Sequence, residues 1–201
     1  MRGLRGVDLL VATGNRGKLD EFASFLAPFG NRFRSLADLS LPEPDETESS
    51  FAGNALLKAR SGARLSGLPT MADDSGLMVD DLGGAPGIFT ADWAETGKGR
   101  DFAVAMRRTT GLLQAVGSET RRASFVCVLA VVLQTGEEAV FEGRLDGQLV
   151  WPMRGVQGHG YDPIFQPDGH GLTLAEMDTT AKNQISHRSR AFAALVAECF
   201  T

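Results

Sequence analysis

The chain has 201 residues, 43% of them hydrophobic and 22% charged, which is ordinary for a globular protein and enough to bury a sizeable core. A net charge of −5 with no basic run argues against a nucleic-acid partner, while leaving room for a local cationic pocket. The longest apolar run, Phe125 to Leu133, falls short of the roughly 20 residues that cross a membrane.

Taken in chain order, the N-terminal "MRGLRGVDLLVATG" meets Asp8 soon after its arginines and reads as a first strand, Val7 to Ala12, rather than a secretory leader. Leu19, Phe22, Ala23 and Leu26 follow at helical spacing, up to Pro28. "LPEPDETES", Leu41 to Ser49, is an acidic loop that runs into a helix from about Ser50 to Leu65, with Gly67 at its end. "PTMADDSGLMVDDLGGAPG" reads as a short strand, an acidic turn opened by Ser75 and Gly76, a second short strand and a glycine-rich corner. A helix is expected over Arg100 to Val116, then two long strands turning near Thr135 and Gly136, with a further turn at Asp146-Gly147. "RGVQGHGYDPIFQPDGHG" is rich in loop residues. One last helix, Asn183 to Cys199, would place Ile185, Phe192, Leu195 and Cys199 on one apolar face. Early alternation of strands and helices with a late hairpin predicts an α/β fold with a mixed sheet. The two cysteines, Cys127 and Cys199, have no ligand-like spacing and read as buried thiols in a reducing cytoplasm.

Arginine outnumbers lysine sixteen to four, so Lys18, Lys58 and Lys182 stand out as positions where a compact ammonium is wanted, as for a phosphate, with Lys98 the exception, read as a loop charge. Lys18 closes "TGNRGK", Thr13 to Lys18, where a strand gives way to a helix whose free N–H groups and dipole favour an anion. This is not a Walker A loop, and a plain strand-to-helix turn would look the same. In "ADDSG" the adjacent carboxylates of Asp73 and Asp74 point to opposite faces of a regular strand, so one can face a site while the other braces the scaffold or reaches a second metal. Carboxylates suit a hard cation such as Mg²⁺, and the loop residues Glu43, Asp45 and Glu46 could add a ligand. "GHGYDP" sets His159 and Tyr161 among flexible glycines, either as stacking surfaces for a nucleobase or as a turn with a core tyrosine. "KNQISHR" puts Lys182 at a helix mouth, with Ser186, His187 and Arg188 one turn on, able to bond a base edge or merely to cap the helix.

Five segments in order, "VATGNRGKLDEF", "FAGNALLKAR", "GLPTMADDSGLMVDDLGGAPGIFTADWA", "GHGYDPIF" and "KNQISHRSRA", make the chain closely resemble the non-canonical purine nucleoside triphosphate pyrophosphatases, also called inosine triphosphate pyrophosphatases. The resemblance implies hydrolysis of dITP, ITP and XTP to the monophosphate and pyrophosphate with Mg²⁺, by a cytoplasmic homodimer. It implies one domain of two lobes, an elongated mixed sheet flanked by helices, with the active site in the cleft. By position, Thr13, Gly14, Asn15 and Lys18 would hold phosphates, with Arg16 and Gly17 in the same turn and Lys58 reaching in from the next helix. Asp74 would be general base and metal ligand, with Ser75 beside it and Asp45, which aligns best without gaps, or the adjacent Glu46 completing the metal site. His159, Gly160, Tyr161, Asp162, Lys182, His187 and Arg188 would surround the base.

Three departures stand out. Gly53 replaces a common glutamate and Asp92 a common arginine, which touches local support and dimer contacts rather than the reaction. His159 stands where the family usually has phenylalanine. A polar ring that can titrate near neutrality predicts a KM that varies between about pH 5.5 and 8, a variation that His159→Phe should abolish. Two other readings are a nucleotide-binding module with little catalysis, separated by pyrophosphate release, and a hydrolase of modified pyrimidine nucleotides, separated by a substrate panel.

Overall fold

The structure, a computed structural model, describes residues 3–200. Its main sheet has six strands in the order β2-β1-β3-β6-β7-β8: β1 Asp8–Val11, β2 Arg32–Ser35, β3 Thr70–Val79, β6 Arg122–Val132, β7 Glu138–Leu149 and β8 Phe165–Pro167. A separate two-residue ladder pairs β4, Glu95–Thr96, with β5, Gly99–Arg100. The helices are α1 Arg16–Leu26, α2 Phe51–Ser66, α3 Phe102–Ala115, α4 Thr179–Ile185 and α5 His187–Cys199. β1 runs parallel to both β2 and β3, whereas β7 and β8 are antiparallel, so the sheet is mixed as expected. Parallel neighbours need crossovers, and α1 and α2 occupy the connections from β1 to β2 and from β2 to β3.

The chain divides into two compact units. Among the described residues, the first comprises 3–74, 127–143 and 190–200. Leu9, Val11, Met71, Cys127, Leu129 and Val131 form its core with Phe22 and Leu26 of α1 and Phe192, Leu195 and Cys199 of α5. Phe192 meets Phe22 edge-on at 4.8 Å and stacks on Phe25 at 4.5 Å. Helix α2 comes close to the strands by presenting small residues. A Cβ at Gly62 would lie 2.7 Å from Thr70 Cγ2 and 3.0 Å from Leu10 Cδ2. Gly62→Ala should therefore lower stability by about 1–2 kcal/mol, because overpacking outweighs alanine's helix preference. A urea midpoint that rises instead would contradict this packing.

The second unit comprises residues 75–126 and 144–189. Its core gathers Leu77, Val79, Phe125, Leu145, Leu149, Tyr161, Ile164 and Phe165 with Ala105, Met106 and Leu113 of α3.

Three expected boundaries are corrected. The "ADDSG" segment is not a turn but the middle of β3, because each aspartate finds a partner from a helix and stays in the strand. Asp146 and Gly147 lie inside β7: the Asp146 carboxylate is bound by Arg144 and Ser124. A Cβ at Gly147 would sit 2.4 Å from the Gln166 carbonyl oxygen of β8, so the glycine serves strand approach rather than a turn. The last helix is two helices. Ser186 leaves helical geometry (φ −63°, ψ 151°), and its Oγ accepts the Ser189 N–H at 3.1 Å, capping α5. Ile185 consequently packs in the second core, apart from Phe192, Leu195 and Cys199.

Candidate active site

In the first unit, β1 delivers the chain to the Thr13–Lys18 turn. Thr13 is buried and its Oγ1 accepts the Asn15 N–H at 3.1 Å, while Asn15 Oδ1 accepts the Lys18 N–H at 3.2 Å as the cap of α1. Two N–H groups of the turn are thus held by its own side chains. The acidic loop lies close to this turn: a Cβ at Gly14 would lie 2.5 Å from a carboxylate oxygen of the exposed Glu43, which would have to swing aside. Arg16 and Gly17 form the exposed start of α1. Lys18 Nζ pairs at 2.9 Å with Asp73, which is 1% exposed, so Asp73 is the aspartate that braces the scaffold.

Asp74, on the opposite face of β3, is 6% exposed. Its Oδ2 accepts a hydrogen bond from Asn54 Nδ2 at 3.0 Å. Burial pushes its carboxyl up to about 6, against the pull of Lys58, Asn54 and Lys18 and with the help of Glu46. Lys58, almost wholly buried, pairs with the Glu46 carboxylate at 2.5 Å. The acidic loop therefore brings Glu46 to the cluster; both Glu46 and its neighbour Asp45 are exposed to solvent. Ser75 follows Asp74 half-buried.

Among the described residues no three His, Cys, Asp or Glu side chains are arranged to hold a metal. Glu46 nevertheless pairs with Lys58, and Asp74 feels the charges of both; two such carboxylates fit a hard cation that takes one or two carboxylates and completes its shell with water and phosphate oxygens.

In the second unit, Asp162 organises the glycine loop. Its Oδ2 accepts the His159 N–H at 3.0 Å and Lys182 Nζ at 2.7 Å. Gly158 (φ +75°) is required here, because a Cβ would collide with that carboxylate oxygen. His159 is exposed and Gly160 half-buried. Tyr161 departs from the stacking expectation. It is 1% exposed, meets Phe102 edge-on, and its hydroxyl donates to the Thr90 carbonyl at 3.4 Å. Burial pushes its phenol up to about 12. It is a core residue that anchors the loop. Lys182 sits in the last turn of α4 rather than at a helix mouth. His187 opens α5 with its ring stacked on Phe125, 5.1 Å between centroids, and Arg188 beside it is half-buried.

Asn54 escaped the sequence reading. A buried polar residue one helical turn before Lys58, on the same face of α2, was the available signal.

The Ham1 family model matches residues 9–198. The dITP/XTP pyrophosphatase of Ruegeria pomeroyi is 52% identical over 99% of this chain and 98% of its own length. The enzyme of the same name from Caulobacter vibrioides is 54% identical over 97% of this chain and 99% of its own. The solved structure of a HAM1 protein from Coxiella burnetii superposes with a TM-score of 0.90 at 35% identity, covering 95% of this chain and 97% of that one. Motif order, sheet topology and full-length similarity agree, and the chain belongs to the Ham1 family.

Proposed function

We propose that the chain is a nucleoside triphosphate pyrophosphohydrolase that converts dITP, ITP and XTP to the monophosphate and pyrophosphate, which keeps these bases out of DNA and RNA. The observation that carries the mechanism is the setting of Asp74, a buried carboxylate with a raised proton affinity beside two lysines. The Asp74 carboxylate, held by Asn54, accepts the proton of a water whose oxygen attacks the α-phosphorus, and the bond to the leaving pyrophosphate breaks. Lys58 and Lys18 neutralise the charge that gathers on the phosphate oxygens. The Thr13–Lys18 turn holds the triphosphate. Glu46 and Asp74 would hold Mg²⁺, which supplies Lewis-acid charge neutralisation when bound.

Lys182, His187 and Arg188 offer donors to the 6-oxo group of hypoxanthine or xanthine. Adenine's 6-amino group would leave them unpaired, a mismatch worth up to roughly 10⁴–10⁵ in discrimination. Guanine shares the 6-oxo group, so its rejection rests on the 2-amino donor. The test is pyrophosphate release with Mg²⁺ from dITP, XTP, dATP and dGTP, where dITP and XTP should be strongly preferred. Equal turnover of dATP would overturn the base-reading roles, and no release from any of them would overturn the function. We further propose a cytoplasmic homodimer, to be checked by light scattering. No helix of the described residues is long and apolar enough to cross a membrane.

A further inference from the structure

Asn54 is 1% exposed and makes two hydrogen bonds to different segments. Nδ2 donates to Asp74 Oδ2 at 3.0 Å, and Oδ1 accepts the backbone N–H of Glu48 at 3.0 Å. The two ends of the amide cannot be exchanged: an ionised carboxylate only accepts and a backbone N–H only donates, so a flipped amide would oppose like groups at both ends. The carboxamide therefore ties the acidic loop to β3. On the loop side the tether lies two residues from Glu46, whose carboxylate meets Lys58. On the strand side it holds one oxygen of the Asp74 carboxylate and so fixes the rotation of that group.

Gly53 supports the same arrangement independently. A Cβ at that position would lie 2.7 Å from Glu48 Cβ and 3.1 Å from its Cγ. The stem of Glu48 thus lies flat on the first turn of α2, and a residue without a side chain lets the loop come that close.

We propose that Asn54 is a positioning residue that locks the acidic loop to β3, so that Glu46 and Asp74 stand as a preset pair for a divalent cation. The role of that cation in catalysis rests on the function proposed above; the lock does not. Groups that orient metal ligands from behind typically govern affinity or rate by about 10–100-fold.

Two variants test the lock from opposite sides. Asn54→Leu keeps the approximate volume and removes both bonds, while Gly53→Ala leaves Asn54 and Asp74 in place and displaces Glu48. Mn²⁺ binding to the nucleotide-free protein, read from the electron paramagnetic resonance signal of the free ion, should weaken about tenfold in both. For dITP, kcat should fall by about 10–100-fold in Asn54→Leu with KM changed less than about twofold, and half-activating Mg²⁺ should rise. Amide exchange at Glu48 should accelerate while the amides around Ala59 to Ala63 keep their protection, which separates a released loop from a melted helix. A folded Asn54→Leu with wild-type Mn²⁺ affinity and kcat would overturn the proposal, and so would a wild type that binds no Mn²⁺. Should Asn54→Leu fail to fold, the Mn²⁺ titration of Gly53→Ala decides alone. Mn²⁺ binding that depends on Asn54 in a wild type that releases no pyrophosphate would sink the proposed function and leave the lock standing.

Discussion

Asp74→Asn should lose pyrophosphate release by about a thousandfold or more, in keeping with the 10²–10⁴ that a positioned base contributes, and yet be the more stable protein above neutrality. The native carboxyl is raised from 3.8 to about 6, chiefly by burial. The folded chain therefore holds this proton to a higher pH than the unfolded chain does. Stability from this group is greatest below about pH 4, where both states are protonated, and falls as pH climbs from 4 to 6. Above that it stays lower by about 2–3 kcal/mol, because a charge is kept where water cannot solvate it. Asparagine has nearly the same shape, still accepts from Asn54, and carries no charge. Thermal melts in chelator should thus show the variant above wild type at pH 8, with the gap closing towards pH 4.5. An equal gap at both pH values would mean that the carboxylate is solvated after all, and undiminished turnover would remove Asp74 from the chemistry. A group that lowers stability in the resting protein is what a catalytic carboxylate is expected to be.

How much of this could be read before the structure depended on whether the cause was local. The strand, glycine turn and lysine of "TGNRGK" are neighbours in sequence, and so are Ser50, α2 and Gly67; these elements were legible from spacing and capping chemistry alone. Asp73 and Asp74 were legible as a divided pair. Their continuation into one long strand was not, because it depends on Lys18 and Asn54 arriving from two other elements. Gly147 looks like a turn residue until β8 is laid against it. Ser186 sits in a run of good helical spacing, and only its backbone geometry reveals a cap where a continuous helix was expected. Tyr161 offered two readings, stacking surface or core, and its burial against Phe102 chose the second. In the acidic loop, alignment favours Asp45 as the ligand, with Glu46 adjacent. The structure pairs Glu46 with Lys58, a contact that period cannot foretell, since loop residues are placed by what they touch.

Lys58→Met should be the second most damaging change, and its signature should depend on pH. The ammonium is almost wholly buried, pairs with Glu46, and is the strongest influence holding the Asp74 carboxyl down against burial. Methionine fills the stem and removes the charge. Asp74 then keeps its proton to a still higher pH, so the fraction of enzyme with a working base at pH 7 shrinks. A cation aimed at the phosphate oxygens is lost as well, and the two effects together should lower kcat for dITP by about 10²–10³-fold. Stability should also fall, by less than the 3–5 kcal/mol of a fully buried broken pair and by about 1–3 kcal/mol, because the Glu46 side chain is 40% exposed and water screens it. That deficit should shrink at pH 5, where Asp74 takes up its proton and less charge is left uncompensated. Urea unfolding of Lys58→Met at pH 5 and pH 8 measures it directly, and a deficit that is the same at both would separate Lys58 from Asp74. Lys58→Arg restores the charge without restoring the geometry, since a guanidinium fork must be seated where the lysine is already enclosed. Its turnover should therefore stay far below wild type, while the pH dependence of its stability returns towards the native pattern.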